Sequence, residues 1–175
     1  MDLKEHIRSI HDYPKKGILF RDITTLIKNE KAFCECIEQI VEKSKKFQFN
    51  KLAAIESRGF VFASAVSYIL KKPFVMLRKK NKLPAEVHSV DFELEYGTAT
   101  IEVHKDSINE EDSVLIIDDL IATGGTAEAA AKLVEISNGK VGAFIFVINL
   151  FDLGGSDKLI KSNYKVENLL DFPGH

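Results

Sequence analysis

The sequence predicts an α/β fold in which a mostly parallel central sheet is flanked by helices. Apolar runs at residues 52–55, 114–117 and 141–150 are typical of strands that are buried on both faces. Helix-forming segments separate these runs along the chain, and this alternation favours parallel strands joined by crossover helices. Because the 175 residues contain no repeat and no linker-like segment, we expect a single domain spanning residues 1–175.

Shorter patterns predict the remaining elements. Residues 2–12 carry three apolar side chains at helical spacing, with Asp2 as the N-cap, and are predicted to form a helix. Two further helices are predicted at residues 30–46 and 60–70. Further strands are predicted at residues 74–77, 98–103 and 164–170, the last of them at an edge of the sheet.

Composition and charge argue against several classes of protein. The hydrophobic fraction of 45% and the charged fraction of 29% are those of an ordinary globular domain, and a net charge of −2 argues against a nucleic-acid-binding surface as the main function. No apolar run is long enough to cross a membrane, and the first residues lack the apolar core of a signal peptide. Cys34 and Cys36 lie two residues apart in a predicted helix, where their side chains diverge. This spacing favours two free thiols in a reducing cytoplasm.

Residues 114–126 carry the most informative pattern. A buried strand is expected to end at two acids, Asp118 and Asp119, and a Thr-Gly-Gly-Thr turn then leads into a helix with Thr126 as the expected N-cap. Glycines let backbone N–H groups approach an anion, and a helix N-terminus adds free donors and a positive dipole end. The pattern therefore predicts a phosphate-binding turn beside acids that hold sugar hydroxyls or a metal ion.

The alternative is an ordinary strand-to-helix turn, because neither a Walker A loop nor a G-x-G-x-x-G fingerprint is present. A branched side chain at Gly125 is expected to abolish phosphate binding, since it suits neither a positive φ nor a close approach to an anion.

Basic residues lie at the ends of two other predicted strands. Arg58 follows one strand, and a segment with Arg78, Lys79 and Lys82 follows another. In parallel sheets ligands bind beyond the C-terminal ends of the strands, which is the edge that also carries the two acids. The cations therefore suit a ligand with more than one phosphate, although the longer segment alone would also fit a solvated charge run.

Residues 85–97 lack a clear helical or strand period and end in a glycine. This stretch is predicted to be irregular and long enough to act as a mobile lid, with Glu93, Glu95 and Tyr96 near its end. Lids of this kind exclude water from reactive intermediates.

On these residues the chain resembles the type I phosphoribosyltransferases, whose motif is an apolar strand, two acids and Ala-Thr-Gly-Gly-Thr. Four further segments are similar to those that mark the adenine-specific members: Ile-Leu-Phe-Arg-Asp at 18–22, Glu-Ser-Arg-Gly-Phe at 56–60, the basic segment ending in Lys-Leu-Pro at 82–84, and Leu-Glu-Tyr-Gly at 94–97. The acid–glycine motif specifies only the superfamily, whereas the five segments in this order are highly specific.

The resemblance implies the fold of that family, with residues 1–30 as a small N-terminal hood that contributes to the base site. It implies Mg²⁺-dependent transfer of the 5-phosphoribosyl group from phosphoribosyl pyrophosphate to N9 of adenine, giving AMP and pyrophosphate. The metal ion would be bound mainly through the substrate, and the enzyme would be a homodimer. Two alternatives stay open: transfer to another base, such as guanine, xanthine or orotate, and a regulator that senses phosphoribosyl pyrophosphate without turnover.

The resemblance also implies roles for individual residues. The 5′-phosphate would be held by the backbone of Ala122, Thr123, Gly124, Gly125 and Thr126. The ribose hydroxyls would be held by Asp118 and Asp119, which favour positive charge on the sugar. The pyrophosphate would be held by Arg58, Arg78, Lys79, Lys82 and Tyr96. The adenine slot would be formed by Leu19, Phe20 and Arg21, with Leu150 on the other side of the ring. Main-chain atoms near Phe20 and Arg21 would read the edge of the base, and Glu95 would be the proton-transfer group.

Three positions depart from the usual pattern of the family. Lys16 stands where proline is common, and Ala63 and Asn81 stand where glycine is usual. Lys16 is expected to be harmless at a surface turn. Asn81 is expected to keep its turn, because asparagine tolerates the left-handed conformation.

Overall fold

The computed structural model describes residues 1–94 and 96–175. The strands are β1 (Arg8–His11), β2 (Leu19–Asp22), β3 (Lys51–Ile55), β4 (Phe74–Lys79), β5 (Val87–Glu93), β6 (Thr98–His104), β7 (Ser113–Ile121), β8 (Lys140–Leu150) and β9 (Val166–Phe172). The α-helices are α1 (Thr24–Ile27), α2 (Glu30–Ser44), α3 (Gly59–Leu70), α4 (Gly125–Ile136) and α5 (Gly155–Lys161).

A seven-stranded sheet with the order β5-β6-β4-β3-β7-β8-β9 forms the centre of the fold. Strands β4, β3, β7, β8 and β9 are parallel to one another, whereas β5 and β6 form an antiparallel hairpin at one edge. The predicted mostly parallel sheet is therefore confirmed, and β9 lies at an edge as predicted. Parallel pairing brings the C-terminal ends of β3, β4, β7 and β8 to the same edge of the sheet.

Helices cover both faces of this sheet. In β3, Leu52 and Ala54 belong to the buried cluster that also contains residues of α1, α2 and α3. The alternate residues Ala53 and Ile55 belong to a second cluster with residues of α4 and α5. Because successive side chains of a strand point to opposite faces, α1–α3 lie on one face and α4–α5 on the other.

The predicted helix at residues 2–12 is wrong. Leu3–His6 form a single 3₁₀ turn, and Arg8–His11 form β1, which pairs antiparallel with β2. Asp2 does cap the turn, accepting a hydrogen bond from the Lys4 backbone N–H at 2.9 Å. The two strands of the N-terminal hood pair as a hairpin, from Arg8 with Asp22 to His11 with Leu19, and the helical spacing of the apolar residues did not reveal this pairing.

The predicted irregular stretch at residues 85–97 is also mostly wrong. Val87–Glu93 form a regular strand that pairs with β6 from end to end. Val90 and Phe92 pack against the core on the side of α4, while the intervening Ser89 and Asp91 are exposed. Two inward apolar residues are too few to produce a clear alternating pattern, which is why the strand was missed.

One ion pair fastens the N-terminal hood and is expected to make its stability depend on pH. The Asp22 carboxylate accepts hydrogen bonds from Thr24 and from Arg8, and these lower its pKa from 3.8 to about 2. A lowered folded-state pKa stabilises the protein above the unfolded value near 4, and this contribution is lost as the pH falls through about 2.

Asp22→Asn is therefore expected to lower the free energy of unfolding by about 1–3 kcal/mol at pH 7. The difference from wild type should shrink between about pH 4 and pH 2, measured by urea unfolding. Asp106→Asn, at an exposed turn, serves as the control and should show no such trend. A deficit for Asp22→Asn that does not change with pH would contradict the prediction.

Candidate active site

A cavity of about 480 Å³ lies at the C-terminal edge of the sheet. Most of the residues predicted for the phosphate and sugar sites line it, namely Arg58, Lys79, Asp118, Asp119, Ala122, Thr123, Gly124, Gly125 and Thr126. They come from the ends of β3, β4 and β7 and from the start of α4. The structure therefore brings together anion donors, carboxylates and two cations around one volume.

The glycine turn between β7 and α4 forms one wall of this cavity. Helix α4 begins at Gly125, and its N-cap is Gly124 with φ of 89°, so the predicted N-cap at Thr126 is wrong by two residues. The left-handed position of the turn is Gly124, not Gly125, which is absent from the positive-φ residues. The helix therefore starts earlier than expected, and the N–H groups of its first turn face the cavity end of the sheet.

The backbone of a second glycine turn supports the first. The Gly155 N–H donates to the Ala122 carbonyl oxygen at 3.0 Å. A Cβ placed on Gly124 would lie 3.1 Å from the Gly155 Cα, and a Cβ on Gly155 would lie 2.4 Å from the Ala122 oxygen. The two turns are thus packed backbone to backbone. The sequence showed Gly154 and Gly155, but nothing in it indicated that they support the phosphate-binding turn.

The two acids lie inside β7 and not at its end as predicted, because the pairing of β7 with β8 continues to Ile121. The Asp119 Oδ2 atom lies 2.7 Å from the Arg58 Nε atom. The Asp118 Oδ1 atom accepts a hydrogen bond from the Asp119 backbone N–H at 2.9 Å. Both carboxylates are consequently held on the rigid floor of the cavity.

Asp118 is electrostatically unusual. Its pKa is raised well above the ordinary value, mainly because the carboxylate is buried and secondly because the charge of Asp119 is adjacent. A cation that approaches the pair stabilises the ionised form of Asp118 and lowers its pKa again. The acid pair therefore attracts positive charge.

Glu56 organises the basic residues at the end of β4, a role that the sequence did not reveal. Its carboxylate accepts hydrogen bonds from the Arg78 Nε atom at 3.3 Å and from the Lys79 backbone N–H at 2.8 Å. Lys79 then lines the cavity, whereas Arg78 and the exposed Lys82 do not. The predicted pyrophosphate set is therefore brought together only in part. Asn81, in the same segment, adopts a φ of 64°, as predicted from its tolerance of the left-handed region.

None of the four residues predicted for the base slot lines the cavity. Leu19, Phe20 and Arg21 belong to β2, and the Arg58 guanidinium carbon lies 5.7 Å from the centre of the Phe20 ring. Arg58 therefore contacts Asp119 on one side and the N-terminal hood on the other. Leu150 is the last residue of β8 and is buried in the core.

The comparisons agree with this geometry. The model of the phosphoribosyl transferase domain matches residues 22–171. The chain is 80% identical to the adenine phosphoribosyltransferase of Pelagibacter ubique strain HTCC1062, over the full length of both. This chain belongs to the adenine phosphoribosyltransferase family.

Solved structures of this family share the whole architecture. The adenine phosphoribosyltransferase of Thermoanaerobacter pseudethanolicus is 46% identical, with a TM-score of 0.94 over 98% of each chain. That of Saccharomyces cerevisiae, solved with adenine and an imino-altritol bisphosphate, is 35% identical, with a TM-score of 0.89 over 97% of each chain. The predicted fold class of the adenine phosphoribosyltransferase family is thereby confirmed.

Two further site residues, Glu95 and Tyr96, were predicted from the resemblance to this family. Glu95 lies outside the described residues, so its role stays a prediction. Tyr96 is 75% exposed, and the Lys15 Nζ atom lies 3.9 Å from the centre of its ring. Tyr96 thus contacts the N-terminal hood and is not among the residues lining the cavity.

Asp118 and Asp119 are the predicted site residues whose side chains could contribute to holding a metal ion. Among the described residues, no group of three His, Cys, Asp or Glu side chains could hold a metal ion. Asp118 and Asp119 supply two carboxylates, and Mg²⁺ in nucleotide sites is commonly held by one or two carboxylates together with substrate phosphates.

Within residues 1–94 and 96–175, none of the helices combines the length and the apolar character needed to span a bilayer.

Proposed function

We propose that this protein transfers the 5-phosphoribosyl group from phosphoribosyl pyrophosphate to N9 of adenine, in a Mg²⁺-dependent reaction that gives AMP and pyrophosphate. The observation that carries the proposal is the single cavity that joins the Ala122–Thr126 turn, the Asp118–Asp119 pair, and the cations Arg58 and Lys79. The 80% identity to an adenine phosphoribosyltransferase supports adenine as the accepting base.

The charges of the cavity match the charge changes of this reaction. When pyrophosphate leaves the anomeric carbon, positive charge develops on the ribose and negative charge on the leaving group. Asp118 and Asp119 would stabilise the first, and Arg58 and Lys79 the second, so both ends of the breaking bond are supported at once. Bound Mg²⁺ would neutralise charge on the pyrophosphate oxygens.

Separate groups of residues would bind the 5′-phosphate and the adenine ring. The backbone N–H groups at the start of α4 would hold the 5′-phosphate, which fixes the sugar over the acid pair. Leu19, Phe20 and Arg21 of the N-terminal hood, together with Leu150, would hold the adenine ring. Arg58 lies between these two parts, with Asp119 at 2.7 Å and Phe20 at 5.7 Å, and so would sit near the bond that forms.

The deciding experiment is an incubation of the purified protein with labelled adenine, phosphoribosyl pyrophosphate and Mg²⁺, followed by separation of the products. Labelled AMP with an equal amount of pyrophosphate supports the proposal, and omission of Mg²⁺ should abolish product formation. Parallel incubations with guanine, xanthine and orotate test transfer to another base. Tight binding of phosphoribosyl pyrophosphate without product from any base would instead indicate a regulator.

Glu95→Gln is expected to lower kcat by about 10²–10⁴-fold, because amide nitrogen and oxygen cannot accept and return the purine proton. The dissociation constant for phosphoribosyl pyrophosphate should change little. Both quantities are measured by initial rates and by calorimetric titration. Glu86→Gln, an exposed residue just before β5, is the matched control. Equal losses of turnover and of affinity would show that Glu95 has a structural role instead.

We also infer that the protein is a homodimer that works in the cytoplasm. The outer face of α3 exposes three large apolar side chains, Val61, Tyr68 and Ile69, and Met76 of β4 is exposed on the same sheet face. A second copy covering these residues would remove them from water. Free thiols at Cys34 and Cys36 support a reducing compartment, which cell fractionation would test.

Tyr68→Glu is expected to convert the dimer into a monomer, because it places a charge on a side chain that is 85% exposed in the single chain and would be buried in the dimer. Light scattering after gel filtration should give twice the 19.6 kDa chain mass for wild type and the single mass for the variant. Ile160→Glu, 53% exposed on α5 across the sheet, is the control and should remain dimeric. Dissociation by both variants, or by neither, would contradict the assignment of this face.

A further inference from the structure

The C-terminal residues 172–174, which we call the C-terminal strap, contact the N-terminal hood. Phe172 ends β9, and its ring lies next to two cations of the hood: the Arg21 guanidinium carbon is 4.7 Å and the Lys4 Nζ atom 5.5 Å from its centre. Cations are attracted to the negative face of an aromatic ring. The last strand of the sheet is therefore connected to the first residues of the chain through this side chain.

Arg21 depends on the strap for two of its contacts. One guanidinium nitrogen donates to the Pro173 carbonyl oxygen at 3.0 Å, and the ring of Phe172 lies against the same group. The other terminal nitrogen donates to the Ser9 Oγ atom of β1 at 2.6 Å. Because β1 and Arg21 both belong to the hood, the strap supplies the contacts that hold Arg21 to the main body of the protein.

The far end of the strap is held just as closely. The Gly174 N–H donates to the Asp152 Oδ1 atom at 2.6 Å. A Cβ on Gly174 would lie 2.8 Å from that oxygen and 2.8 Å from the Leu153 Cγ atom. Asp152 belongs to the 3₁₀ turn that directly follows Leu150, and Leu150 itself lies opposite Phe172 in the register of β8 and β9. The strap thus touches both proposed walls of the adenine slot.

We propose that the C-terminal strap is a positioning element that sets the geometry of the adenine slot, acting through Arg21 on one wall and Leu150 on the other. This inference rests on the proposed function, because the slot is assigned there. Strap residues are absent from the lining of the phosphate and sugar cavity. A disturbed strap should therefore weaken the use of adenine and leave the use of phosphoribosyl pyrophosphate nearly unchanged.

The test compares Phe172→Leu, which removes the ring, and Gly174→Ala, which crowds Asp152, with two controls. Phe172→Tyr keeps an aromatic face for Arg21 and Lys4, and His175→Ala changes the exposed last side chain while leaving the backbone of the strap unchanged. Initial rates are measured over a range of adenine and of phosphoribosyl pyrophosphate. We expect KM for adenine to rise about tenfold in the first two proteins, with KM for phosphoribosyl pyrophosphate within about twofold. Both controls should keep wild-type values.

The outcomes separate this inference from the proposed function. Wild type that forms no AMP from adenine overturns the proposed function, and the role of the strap with it. Active wild type with an unchanged KM for adenine in Phe172→Leu and Gly174→Ala overturns the strap alone. An equal rise in both KM values also overturns it, because that result indicates general destabilisation. If Phe172→Leu fails to fold, the adenine-selective effect of Gly174→Ala decides the question.

Discussion

Asp119→Asn is expected to reduce kcat by about 10²–10³-fold, the usual cost of losing one preorganised charge in an active site. The substitution keeps the size of the side chain but removes the negative charge that would face the cationic ribose. It also removes the charged partner of Arg58, whose Nε atom lies 2.7 Å away. Because Arg58 is 47% exposed, water can replace that partner, and we expect a fall in Tm of only about 2–4 °C.

The measurement for Asp119→Asn is kcat at saturating adenine and phosphoribosyl pyrophosphate, together with thermal unfolding. Asp106→Asn removes the same charge from an exposed turn and should leave the rate unchanged. An Asp119→Asn protein that is folded and as fast as wild type would remove the sugar-binding role of the acid pair.

Gly124→Val is expected to abolish the binding of phosphoribosyl pyrophosphate. A branched side chain is strongly disfavoured at a φ of 89°, and its Cβ would lie 3.1 Å from the Gly155 Cα and 3.2 Å from the Gly155 carbonyl oxygen. Since these neighbours are backbone atoms, the turn itself has to shift. That shift moves the donors at the start of α4 away from the 5′-phosphate.

Calorimetric titration with phosphoribosyl pyrophosphate measures the effect of Gly124→Val, and Gly17→Val provides a matched control. Gly17 has a φ of 88°, but a Cβ there would meet no atom within 4 Å. Both variants therefore place a branched residue at the same unfavourable φ, and only Gly124→Val has the steric conflict beside the cavity. Wild-type affinity in Gly124→Val would show that the phosphate binds elsewhere.

The parts of the site that could be predicted from the sequence are those built from continuous segments. In β7 and α4, a buried aliphatic run, two acids and two glycines are adjacent in the chain, so local rules predict their order, although they misplaced the cap from Gly124 to Thr126. The position of Arg58 at the same edge also followed from sequence, because parallel strands bring their C-terminal ends together.

Features that depend on distant partners could not be predicted. Arg21 donates to Pro173, which is 152 residues away, and Glu56 accepts from the backbone of Lys79, 23 residues away. The spacing of residues within a short segment does not indicate such long-range hydrogen bonds. The wrong helix at residues 2–12 has a different cause, because the helical spacing of their apolar side chains did not indicate the hairpin in which Arg8–His11 pair with β2.

No side chain separates the start of α3 from the acid pair. A Cβ on Gly59 would lie 2.8 Å from the Asp118 Oδ1 atom and 3.1 Å from the Ile117 carbonyl oxygen. Because the Arg58 Nε atom also lies 2.7 Å from the Asp119 Oδ2 atom, the residues proposed to hold the pyrophosphate and the ribose are in direct contact. We expect reactants to enter and leave by movement of the N-terminal hood relative to the β5–β6 hairpin, because the two contact each other at Lys15 and Tyr96. Such a gate would open and close while the reacting groups stay in register.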